Sequence, residues 1–247
     1  MSLVDKEPAM LRPFPVITLS FLALLACLVS VDFFFVVADV IAYAAEKLSL
    51  ISKVPDIIKI TRDRALPEIY GYFEWAVIIA ALLWLSFRER WFAPLRWATV
   101  FVIILIDDSM QVHETVGLWL TQYLPLPASL QDRSQDIAEL MVFSGMGVIA
   151  VALTASMFFS RDEATLAISK RFGFIILFLV FFGVFLDFVH QTINLLTLGT
   201  IEGQFLPQIL AILEDGGEMV VASYAAAYVL TLPGLKALRG VGATSRD

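Results

Sequence analysis

Cysteine and histidine are nearly missing from this sequence: Cys27 is the only cysteine, and His113 and His190 are the only histidines, in 247 residues. A lone cysteine can make no intramolecular disulfide, and thiolate zinc or iron–sulfur sites are excluded with it. Low-complexity tracts and clear internal repeats are also absent. The N-terminal part shows no short apolar core followed by a small-residue cleavage site. Its first apolar run, of about 30 residues, is too long for a removable signal and long enough to span a bilayer with tilt. Gly216-Gly217 follows no strand and precedes no lysine, so it is no phosphate loop, and there is no nucleotide or haem signature. With a net charge of −7, no nucleic-acid partner is expected.

Apolar residues are plentiful, at 59 % of the chain, with 20 phenylalanines. That share exceeds what a soluble domain carries. The expected fold is all-α: a polytopic membrane helix bundle of about six transmembrane helices with one amphipathic interfacial segment. Residues 1–13 form a polar tail, 14–232 a single six-span domain and 233–247 a second polar tail. The spans are expected at about 14–46, 67–87, 97–123, 129–159, 172–198 and 207–232. Residues 47–66, with Lys47, Lys53, Lys59, Arg62 and Arg64 among Ile and Leu, read as the segment that lies on the membrane surface. Eleven of the 17 basic residues fall on the side of the termini, so both termini are expected in the cytoplasm, in a bacterial inner membrane.

Much of the acid lies inside apolar runs, where an ionised group costs a few kcal/mol on insertion scales (~2.5–3.5). Asp107-Asp108-Ser109-Met110-Gln111-Val112-His113-Glu114 places three carboxylates and a histidine in the third span. At 100° per residue, Asp107, Gln111 and Glu114 share a face, flanked by Asp108 and His113. The fifth span carries Asp187 and His190 one turn apart, with Gln191 and Asn194. The sixth carries Glu214, Asp215 and Glu218 within one sector, and its Gly216-Gly217 permits close approach by another helix or a ligand. Glu74 is the deep acid of the second span. Asp132, Asp136 and Glu139 begin the fourth, where the helix macrodipole alone would favour them. Asp32, Asp39 and Glu46 recur every seven residues in the first and are expected to line an entrance. A rise of ~1.5 Å per residue puts most of these groups roughly 10–16 Å below the outer ends of their helices. Six helices read separately thus converge on one belt.

So many carboxylates need cations, protons or water. Two imidazoles among Asp and Glu match the ligand stock of carboxylate-bridged metal sites in helix bundles. The expected ligands are Glu74, Asp107, His113, Glu114, Asp187, His190, Glu214 and Glu218, with Asp108 and Asp215 as general bases. The metal is a divalent ion, Fe, Mn or Zn.

The D-D-x4-H-E and E-D-x2-E motifs resemble those of uncharacterised bacterial polytopic membrane proteins, a resemblance that covers the third and sixth spans and implies no particular activity. In size and style the chain is also loosely similar to membrane metal hydrolases of the alkaline ceramidase kind. It lacks their three histidines and their H-x-x-x-H pair, so none of their residues is carried over.

The expected function is an integral membrane metalloenzyme that oxidises or hydrolyses a lipid or other amphipathic substrate. Arg62, Arg64 or Arg133 would meet a head group, and membrane lipids would be its surroundings. The competing expectation is a proton- or divalent-cation-coupled transporter with an acid-lined cavity.

Overall fold

A computed structural model describes residues 18–197 and 202–232. The polar tails and the first residues of the first expected span lie outside the described residues. The described residues are mostly helical, with no strand among them. Its helices are α1 (Leu19–Lys47), α2 (Leu66–Glu89), α3 (Phe92–Met110), α4 (Val112–Thr121), α5 (Ser134–Thr154), α6 (Glu163–Val180), α7 (Asp187–Leu196) and α8 (Glu202–Thr231). Among the described residues, four helical stretches are long and apolar enough to cross a membrane. These are α1, α2, Ser134–Phe159 (α5 with the 3-10 turn that prolongs it) and Glu163–Leu196 (α6 with α7). The two remaining expected spans, α3–α4 and α8, are the ones that carry the acid motifs.

Local sequence explains where the helices start and stop. Thr18 caps α1 by accepting the Phe21 backbone N–H at 3.2 Å. Pro67 sits in the first turn of α2, where its missing N–H has no intrahelical acceptor to lose. Asp162 caps α6 through the Thr165 N–H. Three expectations shift. The fifth span starts at Glu163, nine residues early, because its polar first two turns still make a good capped helix. Pro207 lies inside α8 and does not precede it. As the sixth residue of α8 it removes one backbone bond and crowds the carbonyl four residues earlier, at a cost of about 3 kcal/mol that the packing of the helix must offset. The expected amphipathic segment is an irregular loop with one 3-10 turn, Asp56–Ile58. Val54 and Ile60 are buried in the protein, and Glu46 accepts the Val54 N–H at 3.0 Å.

One end of the bundle is packed solid. Trp75 stacks on Phe101 at 5.6 Å between ring centres, and Phe172 meets Phe101, Trp97 and Tyr228 at 5.2–5.6 Å. Two indole N–H groups there are satisfied: Trp97 donates to Ser169 Oγ at 3.3 Å and Trp91 to Thr165 Oγ1 at 2.8 Å. The outward faces are apolar, with Phe33, Phe34, Phe87 and Phe178 all exposed, as lipid surroundings require. At the packed end a 3-10 turn, Ala155–Phe159, joins α5 to α6. Above it α5 leans on α3 and α4, and little connects it with α6.

Candidate functional site

The opposite end of the bundle holds a cavity of about 900 Å³. Two departures from regular helix build its polar wall. The first lies in the D-D-x4-H-E motif. Gln111 takes a left-handed conformation (φ 51°, ψ 47°) that ends α3 and starts α4. For a residue with a Cβ this costs about 1–2 kcal/mol. Asp107 offsets it: Oδ1 accepts the His113 backbone N–H at 2.9 Å, and Oδ2 pairs with His113 Nδ1 at 3.0 Å. Gln111 Nε2 donates to Asp63 Oδ2 at 2.8 Å. The His113 ring is stacked on Phe143, 4.6 Å between centres. Its Nε2 lies 3.9 Å from Glu114 Oε1. The single face expected for Asp107, Gln111 and Glu114 therefore does not exist, because the helix that would carry it is broken between them. Non-helical backbone at membrane depth is tolerated where it lines a cavity.

The second departure is a π-helical turn at Phe181–Leu186, between α6 and α7. Such turns shift the register of everything after them and are frequent at functional sites. Here the turn precedes Asp187 and His190. His190 Nδ1 pairs with Glu214 Oε2 of α8 at 3.0 Å. Asp187, His190 and Glu214 each offer a ligand atom, all within 4.8 Å of one another. Glycine makes the approach of α8 possible. A Cβ on Gly183, within the π-turn, would collide with the Glu218 carboxylate, and one on Gly217 would collide with the Phe182 ring. Gly117 plays the same part for Glu139, whose Cγ would be 2.7 Å from an added Cβ. The close approach expected at Gly216-Gly217 is thus made at Gly217, by an aromatic ring of the neighbouring helix.

The two histidines are held alike. Each has Nδ1 against a carboxylate, Asp107 for His113 and Glu214 for His190. At His113 the Asp107 carboxylate favours the hydrogen on Nδ1 and leaves the Nε2 lone pair for a metal, the arrangement common among metal-bound histidines; at His190 an ion shared with Glu214 would take the place of the hydrogen between them.

Of the ten residues expected to carry the site, nine line the cavity: Asp107, Asp108, His113, Glu114, Asp187, His190, Glu214, Asp215 and Glu218. Glu74 is not among them. It is 2 % exposed and accepts the Ser223 hydroxyl at 2.7 Å, behind the cavity wall. Pro67, Glu68, Gly71 and Trp75 are the α2 residues that face the cavity. At 100° per residue Glu74 lies about 120° around the helix from Glu68.

None of Asp32, Asp39 and Glu46 lines the cavity. Asp39 is buried beside the Ile60 backbone and Glu46 holds Val54, so both acids fasten the loop to α1. Asp136 does line the cavity, but it has a counter-charge. Arg133 lies 2.9 Å from it, donates to Thr192 Oγ1 at 2.6 Å and covers the Phe188 ring. The side chain of Asp132 lies outside the described residues.

Glu68 and Asp63 are cavity residues that helix-end reasoning misses. Glu68 accepts the Arg64 backbone N–H and the Tyr72 hydroxyl, and that hydroxyl also reaches the Asp108 carbonyl at 3.2 Å. The stripe it forms with Gly71 and Trp75 is the signal that could have found it. Away from the polar groups the cavity wall becomes apolar, with Val100, Ile103 and Ile104 of α3 facing Ala150 of α5 and Ile176 and Leu179 of α6.

Fold and site together define a helical bundle, apolar outside, with a histidine–carboxylate cavity in one half. A family model described as Domain of unknown function (DUF8692) matches residues 21–232, and the chain belongs to that family. No curated protein and no solved structure matches it.

Proposed function

We propose that the chain is an integral membrane metalloenzyme acting on a lipid or other amphipathic substrate by oxidation or hydrolysis. The observation that carries this reading is the Asp187–His190–Glu214 group, which faces His113, Glu114, Glu139 and Glu218 around one cavity. Imidazole and carboxylate together favour Fe, Mn or Zn over Mg or Ca. Asp187, His190 and Glu214 would hold one ion. His113 with Glu114, and Glu218, would hold a second or complete the first. The metal would supply Lewis-acid or redox chemistry. Asp108 and Asp215 stand on the same wall as general bases for the substrate or for water.

The cavity's shape supports the substrate class. A polar end and an apolar end suit a molecule with a head group and a hydrocarbon chain. Little connects α5 with α6 above their shared turn, and a substrate would enter sideways from the membrane between them. Arg133 is the less apt partner for a head group, because its guanidinium is already occupied by Asp136 and Thr192. Arg62 lines the mouth and is the better candidate.

In this reading six helical segments cross the membrane, α3–α4 and α8 among them. The termini are cytoplasmic and the cavity faces the opposite side of a bacterial inner membrane. A transporter would need a polar path through the packed end, where Trp75, Phe101, Trp97 and Phe172 fill the section.

The test is elemental analysis of the detergent-purified protein, repeated for His190→Ala and Glu214→Ala. Near-stoichiometric Fe, Mn or Zn in the wild type, lost from both folded variants, is the expected result. Full metal content in both variants would sink the assignment.

A further inference from the structure

A second group of acids is built differently. Asp32 of α1, Glu74 of α2 and Ser223 of α8 meet where these three helices pack, away from the cavity. They are 1 %, 2 % and 0 % exposed. Ser223 Oγ donates to Glu74 Oε1 at 2.7 Å, and Asp32 approaches the same hydroxyl from α1. Tyr70, one turn before Glu74, brings its hydroxyl beside them.

Four oxygens of this group are buried with no hydrogen bond of good geometry among the described residues: both of Asp32, Oε2 of Glu74 and the Tyr70 hydroxyl. Among the described residues, no Lys, Arg or His forms an ion pair with either acid there. Unpaired carboxylates in a dry interior cost several kcal/mol each, and a buried polar oxygen normally has a partner. A pair of acids held for structure alone would be expected to bond to each other or to backbone, as Asp107 does at the helix break.

We propose that Asp32, Glu74, Ser223 and Tyr70 bind one dehydrated, sodium-sized cation, with one of the two carboxyl groups kept protonated. The donor set is all oxygen, which selects a hard cation and sets this group apart from the histidine-bearing cavity. One sodium ion and one proton cancel the two carboxylate charges. Calcium takes about six to eight oxygens, and this group reaches six only with both carboxylates bidentate and both hydroxyls bound. The ion would fasten α1 to α2 and α8. The inference is independent of the cavity's metal.

The test uses the full chain in detergent, stripped of transition metal by a chelator. Its unfolding temperature is compared in sodium chloride, in N-methyl-D-glucamine chloride at equal concentration, and in calcium chloride. A saturable rise of several degrees with sodium is expected. Asp32→Asn and Glu74→Gln should remove that response, and His190→Ala should keep it. Because the acid variants can fail to fold for other reasons, binding of radioactive sodium to the wild type is measured as well, with one ion per chain expected. Equal stability in sodium and N-methyl-D-glucamine together with no bound sodium would overturn the site and leave a protonated pair. A response to calcium alone would overturn the monovalent assignment. An unchanged sodium response in Asp32→Asn would place the ion elsewhere.

Discussion

The cavity and the Asp32–Glu74 group lie in one bundle, yet the chain builds them by opposite means. Around the cavity the backbone is irregular: a left-handed Gln111, a π-turn at Phe181–Leu186 and two glycines that make room for Glu218 and Glu139. Around Asp32 and Glu74 the three helices are regular, and the polar groups are sealed by ordinary packing. The cavity mixes nitrogen and oxygen donors around about 900 Å³ of open space. The sealed group has oxygen alone and lines no such opening. Irregular backbone turns side chains toward something that comes and goes, and it exposes N–H and C=O groups that need a polar neighbour. Regular helices suit a ligand that stays.

The packed floor below the cavity gives the first way to break this contrast, and the largest expected effect. Phe101 is fully buried, stacked on Trp75 and edge-on to Phe172. Phe101→Ala should cost about 3–4 kcal/mol through lost packing and the hole left behind, measured by denaturant unfolding in mixed micelles. Metal content should not change, because no donor moves. If the metal is lost along with the stability, floor and cavity are one cooperative unit and the contrast fails.

Next comes the role of glycine. Gly183→Ala puts a methyl group where the Glu218 carboxylate now lies, so either that acid or the π-turn must shift. Displacing a group that supports a metal site typically costs about 10–100-fold in affinity, and about tenfold is expected here by metal titration. Gly145→Ala is the control, because nothing lies within 4 Å of a Cβ at that position. Equal affinities for the two variants would mean that the close approach at Gly183 does not tune the site.

How much of this can be read from the sequence follows the same division. Helical period and apolar length locate the helices, and the depth of each acid along its own helix brings His113, His190, Glu214 and Asp215 to one level. Depth carries no information about direction around the bundle, so it groups Glu74 with residues that Glu74 faces away from. The break at Gln111 leaves no local signal, since glutamine is a good helix former. Asp107 holds it from within the run by taking His113, and Asp63 holds Gln111 from a distant loop, a tertiary contact that cannot be read from a run of eight residues. The π-turn is equally silent: Phe-Phe-Gly-Val-Phe-Leu reads as ordinary lipid-facing helix. Glu68 reads as a helix-end charge, and that sufficient explanation hides the stripe it forms with Gly71 and Trp75.

The smallest effect is expected where neither kind of construction applies. Asp56 lies in the surface loop, with Lys53 Nζ at 3.1 Å and Lys59 Nζ at 3.4 Å. The hydrogen bond from the Lys53 ammonium holds its carboxyl below the usual carboxylate range. A group whose pKa is lower in the folded chain stabilises that chain above its unfolded pKa, and the contribution fades as pH falls through the folded value. The pairs are exposed to water and screened by salt, so little is at stake. Asp56→Asn should leave the unfolding temperature at neutral pH unchanged within error, and the wild type and variant should converge fully in acid. The loop's anchors are Val54 and Ile60, buried against the helices, with Glu46 and Asp39 behind them. A clear drop in Asp56→Asn at neutral pH would mean that the surface pairs hold the loop over the cavity mouth, and that its closure responds to salt.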